Sequence, residues 1–290
     1  MASTQQLKSR IRSVKSTKQI TKAMQLVAAS KMRRAQEADK ASAPYTQAAN
    51  ELLTYLASQG ATDAHPLFVT HKPVKTRLLI VVAADKGLAG AYNSNVMKLY
   101  TRELKVDDTE GIANKTIAVG RRATQFVTRI KDTEIIGAYE DMPDHPAGAE
   151  LRSILDTARD QYESGDVDAV DIIYTEFVNS LSQVAKIQRV MPAGYEITEV
   201  SDAVREAEYE PDLETVLDGV AYRLVGAQIF QAMLDAKASE WSMRMIAMKN
   251  ATDNASDLAD DLTLEMNKAR QGAITQELAE ISGGVEALND

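Results

Sequence analysis

The chain has 290 residues, no cysteine and a formal net charge of −9. Without cysteine it has neither disulfides nor a thiol nucleophile, so nothing argues for an oxidising compartment and a reducing cytosol fits. The longest strongly apolar run, 78–84, is far shorter than the roughly 18 residues that span a bilayer. Any link to a membrane is therefore expected to pass through a partner.

Positive charge is concentrated at the N-terminus, where no acidic residue precedes Glu37. A cleaved transit peptide is disfavoured because no processing site is present, and a nucleic-acid arm because the first 44 residues contain no aromatic residue. A solvated helix face and a docking surface for acidic protein loops remain equally open. The basic N-terminal face comprises Lys8, Arg10, Arg12, Lys15, Lys18, Lys22, Lys31, Arg33 and Arg34.

Residues 4–58 are predicted to form a long helix because apolar residues recur near helical spacing. Pro44 is expected to kink or interrupt this helix, since proline lacks a backbone donor. A polar stretch over 60–73 then marks a boundary. The predicted apolar stripe is Leu7, Ile11, Val14, Ile20, Met24, Val27, Ala28, Met32 and Ala35.

The middle of the chain alternates short apolar runs with helical patterns, which predicts βαβ units and a mostly parallel sheet. A turn at Asn179-Ser180 predicts an antiparallel hairpin at the end of the sheet, and 196–210 is expected to be a loose acidic segment. The predicted strands are 78–84, 116–119, 135–138, 170–177 and 184–191, and the predicted helices are 93–104, 121–129 and 148–163.

Residues 211–288 are predicted to form one continuous helix of roughly 115 Å, including the polar segment 250–255. Its acidic residues Asp253, Asp257, Asp260, Asp261 and Glu265 could face the basic N-terminal helix. Apolar or small residues recur at spacings of 3 and 4 and predict a heptad seam. They are Leu217, Val220, Leu224, Ala227, Leu234, Ala238, Trp241, Met245, Met248, Ala255, Ala259, Leu262, Met266, Ala269 and Ala273, with an exposed tip of Ile274, Leu278, Ile281, Val285 and Leu288.

Two long terminal helices that flank a middle domain are most economically arranged as an antiparallel pair with the domain beside one end. The predicted fold class is therefore α+β, with an antiparallel two-helix coiled coil and an inserted Rossmann-like α/β domain of mostly parallel strands. The predicted division is residues 1–59 for the N-terminal helix, 74–195 for the α/β domain and 211–290 for the C-terminal helix.

No residue pattern gives positive evidence for catalysis. The loop 85–90 follows a strand but lacks both common phosphate-binding glycine patterns, so a structural turn is favoured over a nucleotide site. His65, His71 and His145 lack metal-ligand spacing. The aspartates at 166, 168 and 171 fail the calcium-loop pattern and are expected to lie in a solvated turn.

Six segments carry long motifs in a recognisable order. They are Ile20 to Met24, Leu26 to Met32, Asp85 to Leu88, Met248 to Asn254, Asn267 to Gln271 and Ile274 to Leu278. From about Gln5 to Leu288 the chain resembles the gamma subunit of F-type ATP synthase. The resemblance implies a non-catalytic central stalk that turns inside a hexamer of alternating alpha and beta subunits. The α/β domain would sit with epsilon on the membrane-embedded c-ring.

The same resemblance implies site residues and a location. Arg270, Gln271 and Thr275 match the family's positions that contact an acidic loop of beta, and Met24 matches a neck position near that contact. No cofactor or metal is implied in this chain, because Mg-ATP and Mg-ADP bind the alpha and beta subunits. The chain is expected to lie peripherally on the cytoplasmic face of a bacterial membrane, in a complex that is driven by proton flow.

One alternative from another class is a coiled-coil protein that senses nucleotides or binds nucleic acid through its basic N-terminal helix. Binding of ATP or DNA by the chain alone would separate the two interpretations, since the rotor interpretation includes no nucleic-acid partner.

Overall fold

The computed structural model describes residues 4–63, 65–131, 133–144, 149–207 and 210–289. The predicted fold class is confirmed, because two long terminal helices flank a mostly parallel central sheet. His145 and Gly148 lie outside the described residues. In chain order the elements are α1 (Thr4–Ser58), β1 (Thr76–Val82), α2 (Tyr92–Glu110), β2 (Ala113–Val119), α3 (Arg121–Val127), β3 (Glu134–Tyr139), α4 (Ala149–Glu163), β4 (Ala169–Asn179), β5 (Ser182–Met191), α5 (Asp202–Arg205) and α6 (Leu213–Asn289).

Helix α1 ends where the sequence predicts, but an interruption at Pro44 is wrong, and a kink there stays a prediction. The helix runs from Thr4 to Ser58 with Pro44 inside it. Proline removes one backbone donor, which leaves the carbonyl of Lys40 without its helical partner. Lys40 and Pro44 are both exposed, so water can satisfy that carbonyl and the helix continues.

The sheet has the strand order β3-β2-β1-β4-β5. Strands β1 to β4 pair in parallel, and Ile80 in the central strand aligns with Ile117 and Ile172. Strand β5 pairs antiparallel with β4. Every residue of β1 after Thr76 is buried, which is typical of a parallel strand covered on both faces.

Alternate side chains of the sheet enter two separate cores, because successive strand residues point to opposite faces. Leu79 and Val81 pack with α2 and α3, whereas Leu78 and Ile80 pack with α4 and with α6. The α6 residues of this second core are Ala221, Val225, Ile229, Ala232, Met233 and Ala236.

The first part of α6 is thus buried on two sides, although the sequence predicts only one apolar stripe there. The predicted stripe residues Leu217 and Leu224 pack against Leu53 and Leu56 of α1. The adjacent face packs against the sheet and α4. A Cβ at Gly226 would stand 3.0 Å from the Leu155 side chain of α4, which shows how closely the two helices approach.

The sequence suggested that the segment 196–210 is loose, but part of it is ordered. It contains the short helix α5, and its beginning is hydrogen-bonded to α1. The Thr54 hydroxyl donates to the carbonyl of Glu196 at 3.3 Å and accepts from the Thr198 N–H at 3.2 Å. The Ser201 N–H donates to the Glu51 carboxylate at 2.8 Å, which fixes the start of α5.

The chain divides into two compact units. The first unit contains α1 up to Ala28 together with α6 from Met245, and the second unit contains residues 29–244. The predicted division follows the ends of the long helices, whereas these units share both helices; that division stays a prediction. Within the described ranges, no helix combines the length and apolarity that crossing a membrane requires.

Asp171 does not lie in a solvated turn, so that expectation is wrong for this residue. It is 3% exposed on β4 and forms ion pairs with Arg77, at 2.7 Å, and with Arg189. Arg77 also pairs with Asp107 at 2.8 Å and Glu103 at 3.1 Å. Burial alone would lower the pKa of Arg77, but these carboxylates, Asp171 foremost, raise it.

Asp168 is likewise structural rather than merely solvated. Its carboxylate accepts the backbone N–H groups of Lys75 at 2.7 Å and Thr76 at 2.9 Å, where β1 begins. The pattern of aspartates missed both roles because the partners lie about ninety residues away in the chain. Asp166 is exposed, as expected of a turn residue.

We expect Arg77→Met to lower the free energy of unfolding by about 3–5 kcal/mol, because it leaves the buried Asp107 carboxylate without a cation. Urea unfolding followed by circular dichroism measures the change. Arg102→Met is the matched control, since Arg102 is 69% exposed and its loss should cost less than about 0.5 kcal/mol. Equal effects of the two variants would contradict a stabilising role for the buried network.

His65 is a buried titratable group in the same unit. Its Nδ1 accepts the Leu67 N–H at 3.3 Å, and its Nε2 lies 3.6 Å from the Asp218 carboxylate. Burial lowers the pKa of His65, and the charge of Asp218 only partly opposes this. The folded state therefore keeps His65 neutral at a pH where the unfolded chain already binds a proton.

Stability should consequently fall as the pH drops through the ordinary histidine pKa of about 6.5. We expect His65→Gln to flatten the dependence of unfolding free energy on pH between about 7.5 and 5.5. Asp218→Asn should steepen it, because the carboxylate is what holds the folded pKa up. Urea titrations at three pH values test both slopes, and parallel slopes in all three proteins would refute this role of His65.

Candidate interaction surfaces

In the first unit, α1 and α6 lie antiparallel along a narrow seam. The Thr21 and Thr252 hydroxyl oxygens are 2.8 Å apart, and the Lys18 ammonium donates to the Ser256 hydroxyl at 2.8 Å. Going back along α1 from Thr21 to Lys18 moves the contact forward along α6, as antiparallel pairing requires. The buried seam residues are Leu7, Ile11, Thr21 and Ala28 on α1 and Met248, Thr252, Ala255 and Ala259 on α6.

The seam on α1 differs from the predicted stripe. Ile20 and Val27 were expected in it, yet they are 58% and 52% exposed. Lys18 and Thr21 take their place, and they continue the strict spacing of 4 and 3 residues from Leu7. A search for apolar residues misses these positions because the seam contacts here are made by polar side chains.

The displaced residues form an exposed apolar stripe beside the seam. Ile20, the half-buried Met24 and Val27 follow one another at spacings of 4 and 3, so they share one face of α1. Leu26 next to them is 61% exposed. Met24, predicted to be a partner contact, thus lies in the middle of a surface apolar enough to bind another protein.

Most of the basic N-terminal face points to solvent. In the first unit Lys8, Arg10, Arg12, Lys15 and Lys22 are exposed, and none of them forms an ion pair with a described residue. Lys18 is the exception in this unit, since it is partly buried in the seam. In the second unit Arg33 and Arg34 are exposed, whereas Lys31 is 2.7 Å from the Asp144 carboxylate.

The predicted pairing of the acidic stretch of α6 with α1 is wrong. Every one of Asp253, Asp257, Asp260, Asp261 and Glu265 is exposed. No ion pair joins them to α1 in the part of the chain that is described. The seam occupies positions 252, 255 and 259, so these carboxylates fall on the outer faces of the helix.

Beyond the seam, every side chain of α6 from residue 270 to 279 is exposed. Ile274, Leu278 and Ile281 are 50%, 60% and 64% exposed, while the side chains of Val285 and Leu288 lie outside the described residues. At about 100° per residue, the predicted contact residues and these apolar ones fall within ~140° of one helix face. That tip face comprises Arg270, Gln271, Ile274, Thr275, Leu278 and Ile281.

The tip face combines three kinds of contact. Arg270 offers a guanidinium for a carboxylate, and Gln271 can both donate and accept. The Thr275 hydroxyl donates to the Gln271 carbonyl at 3.0 Å, which keeps it close to the helix backbone. Together with the isoleucines and leucine, these groups suit an acidic loop with apolar neighbours.

The 85–90 loop of the second unit holds the sheet edge together through Asp85. One oxygen of Asp85 accepts the N–H groups of Arg121 at 3.0 Å and Asp141 at 2.9 Å. One carboxylate thereby ties together the chain after β1, β2 and β3. Gly120 is required beside it, because a Cβ there would stand 2.1 Å from the Ala83 carbonyl oxygen.

Arg244 fixes the same loop to α6. Its guanidinium donates to the carbonyls of Lys86 at 3.3 Å and Gly87 at 3.2 Å, and it pairs with Glu240 at 2.7 Å. The centre of the Trp241 ring lies 4.5 Å from Arg244. Arg244 therefore holds the backbone of this loop against α6.

Trp241 is held on its other side by Lys31, also 4.5 Å from the ring centre. The indole N–H donates to Asp144 at 3.1 Å, and Asp144 also pairs with Lys31. Burial alone would raise the pKa of Asp144, but its hydrogen bond and ion pair with Lys31 lower it. Lys31 is thus a structural residue as well as a member of the predicted basic face.

Neither of the described predicted histidines lies in an arrangement suited to metal chemistry. His71 stacks on Tyr162 with ring centres 4.9 Å apart, and His65 is packed against Phe68. Across the described ranges, no three histidine or acidic side chains are grouped so that they could hold a metal ion. The surfaces that stand out are therefore the α1 stripe and the α6 tip, both suited to protein contact.

Comparison with known proteins finds relatives that match over nearly the whole chain. A family model described as ATP synthase matches residues 3–288. The ATP synthase gamma chain of Xylella fastidiosa (strain M12) is 38% identical over 288 residues, covering 99% of this chain and 100% of the relative. That of Staphylococcus carnosus is 39% identical over 291 residues, with the same coverage.

Solved structures share the fold. A chain of the Euglena gracilis mitochondrial ATP synthase, in an OSCP/F1/c-ring structure, has a TM-score of 0.66 at 18% identity, covering 98% of this chain and 94% of its own. A chain of the Tetrahymena thermophila mitochondrial ATP synthase central stalk and c-ring has a TM-score of 0.57 at 24% identity, covering 80% and 99%. With relatives this similar over their whole length, the chain belongs to the ATP synthase gamma chain family.

Proposed function

We propose that this chain is the central-stalk rotor subunit of F-type ATP synthase, coupling rotation of a c-ring to ATP synthesis and hydrolysis on beta subunits. The observation that carries this proposal is the antiparallel seam of α1 and α6, which gives way to an α6 tip exposed at every position from 270 to 279. A helix that keeps apolar residues on such a tip needs a surrounding partner.

The proposed partners follow from the surfaces and from the family. Alternating alpha and beta subunits would surround the tip face and the Ile20–Val27 stripe, while epsilon and the c-ring would bind the α/β domain. Nucleotide and Mg²⁺ would bind the alpha and beta subunits, so this chain would take no catalytic step and need no cofactor. The complex would lie on the cytoplasmic face of a bacterial membrane and use proton flow.

The physical basis of coupling is the asymmetry of the shaft. The two helices differ in sequence on every face, so at any angle each of the three beta subunits meets a different surface. A contact can shift a conformational equilibrium only by its difference in free energy between the states. An asymmetric shaft gives the three beta subunits three different free-energy differences at once. As the shaft turns, each beta subunit receives each of the three in sequence.

Reconstitution tests the proposal directly. The chain is mixed with purified alpha and beta subunits, and assembly and ATPase activity are measured. We expect one copy of the chain in a hexamer of alternating subunits, with altered ATPase activity. Failure to join the hexamer would count against the rotor role, as would submicromolar binding of ATP or DNA by the chain alone.

We expect Arg270→Ala combined with Gln271→Ala to leave the chain folded, because both side chains are exposed. Loss of one charge-assisted contact of about 1.5–3 kcal/mol should lower coupled ATP synthesis about tenfold or more. Synthesis in membrane vesicles and circular dichroism of the purified chain measure the two effects. Asp260→Ala with Asp261→Ala is the matched control on the same helix; unchanged synthesis in the Arg270 and Gln271 variant would remove those residues from the contact.

Arg244 is proposed to hold the sheet-edge loop and α6 together under torque. We expect Arg244→Met to shift the emission of Trp241 to longer wavelength, since it uncovers one face of the only tryptophan. Loss of the buried partner of Glu240 should also cost about 3–5 kcal/mol of stability. Lys31→Met is the control for the opposite face of the ring, and its half-exposed ion pair should be worth about 1 kcal/mol or less. An unshifted emission maximum for Arg244→Met would contradict the proposal that Arg244 holds the loop at 85–90 against α6.

A further inference from the structure

An open groove of about 670 Å³ runs between α2 and α3. Its floor includes Met97, which is 8% exposed, and the partly buried Phe126. Three cations on one side and two on the other line the groove. They are Lys98, Arg102 and Lys105 on α2, Arg122 on α3 and Arg129 in the turn that follows α3.

The groove is strongly positive in a protein whose net charge is −9. No carboxylate of the described residues lines it, and all five cations are exposed. Among the described residues, only Arg102 of these cations forms an ion pair, with Glu103 at 3.3 Å. The Arg102 side chain is 69% exposed, so this ion pair is weak. Lys98 and Arg102 stand four apart on one helix and repel each other.

The spacing of the cations indicates what kind of anion they suit. Lys98 and Lys105 are seven residues apart on α2, which separates them by about 10 Å along the helix. On the other side, Arg122 lies in the first turn of α3 and Arg129 lies beyond its last residue, Val127. The cations therefore follow the two sides of the groove instead of converging on one point, as they would around a phosphate group. Between them lies the apolar floor.

The opposite face of the sheet is the one that α6 covers. The α6 residues pack with Leu78 and Ile80, whereas α2 and α3 pack with Leu79 and Val81. The groove is thus formed on the outer side of the helix layer, away from the sheet face that α4 and α6 occupy. A ligand in it need not displace any element of the second unit.

We propose that this groove binds an acidic, amphipathic helical segment of a partner protein. The apolar stripe of such a helix would lie on Met97 and Phe126, and acidic residues on its flanks would meet the cations on the two sides of the groove. The two sides of the groove carry the same charge, so a helix with acidic residues on both flanks fits and one with acidic residues on a single flank leaves one side unpaired. This recognition goes beyond the proposed rotary role and does not require it.

Fluorescence anisotropy of the full chain with a labelled 14-residue peptide tests the proposal, where ~14 residues make about four helical turns. The peptide carries leucines at spacings of 3 and 4 and glutamates on both flanks. We expect micromolar binding that weakens as salt is raised, and at least tenfold weaker binding by Lys98→Glu with Arg129→Glu. Phe126→Ala should weaken it about fivefold without changing the salt dependence.

Two controls make the result decisive. Lys72→Glu with Lys249→Glu changes the net charge equally at exposed sites outside the groove and should alter affinity less than twofold. A peptide of the same composition with the leucine stripe scrambled should bind at least tenfold more weakly. Equal binding of the scrambled peptide, an equal effect of the control variant, or no binding at 100 µM would each overturn the proposal.

Free nucleotide supplies the remaining arm of the test. ATP that competes with the peptide at micromolar concentration, and loses this effect in Lys98→Glu with Arg129→Glu, would assign the groove to a small anion and overturn the helix proposal. Because the test uses the chain alone, its failure leaves the rotor role untouched. A failed reconstitution with alpha and beta subunits would in turn leave the groove untouched.

Discussion

The rest of the structure depends on how α6 is buried, and that burial changes along its length. From Leu217 to Leu224 the helix is covered on two sides, by α1 and by the sheet, and the cover by the sheet continues to Ala236. From Met248 to Ala259 one narrow face of small residues is covered, and from 270 onward no side chain is covered up to 279. Two-sided burial makes the first stretch part of a domain core, whereas the last stretch gains no packing energy from this chain and is free to be held by another.

Buried charge marks the places where geometry is fixed. Arg77 joins α2 to β4, and Arg244 joins α6 to the loop after β1, each through several partners at once. Breaking such a set leaves an uncompensated charge inside the protein, so the alternative arrangements are strongly disfavoured. Asp85 acts in the same way with backbone donors, since one carboxylate holds the chain after three strands.

The sequence predicts the elements well and their neighbours poorly. Helix and strand periodicity located α1, α6 and the five strands, because those patterns depend on residues close in the chain. Ile20 was misplaced and Thr21 missed because a seam of small residues accepts a hydroxyl pair, which hydrophobicity does not signal. Asp171 was misplaced because its cation, Arg77, is supplied by a strand far away in sequence. The resemblance predicted the roles of Met24, Arg270, Gln271 and Thr275, which stay predictions.

Exposed ion pairs exchange partners easily, whereas buried ion pairs hold one arrangement. In this chain exposed cations lie on α1 of the first unit and the buried pairs lie in the second unit. An exposed ion pair in water is worth at most about 1 kcal/mol, so it can be exchanged for another without a large barrier. The exposed cations of α1 in the first unit, Lys8 to Lys22, have no ion-pair partner among the described residues of this chain. In the proposed rotor, these cations can attract acidic neighbours at every angle of rotation. Because each contact is weak, no single angle is held by a large energy barrier. The buried pairs around Arg77 and Arg244, by contrast, keep the second unit in one shape while the load changes.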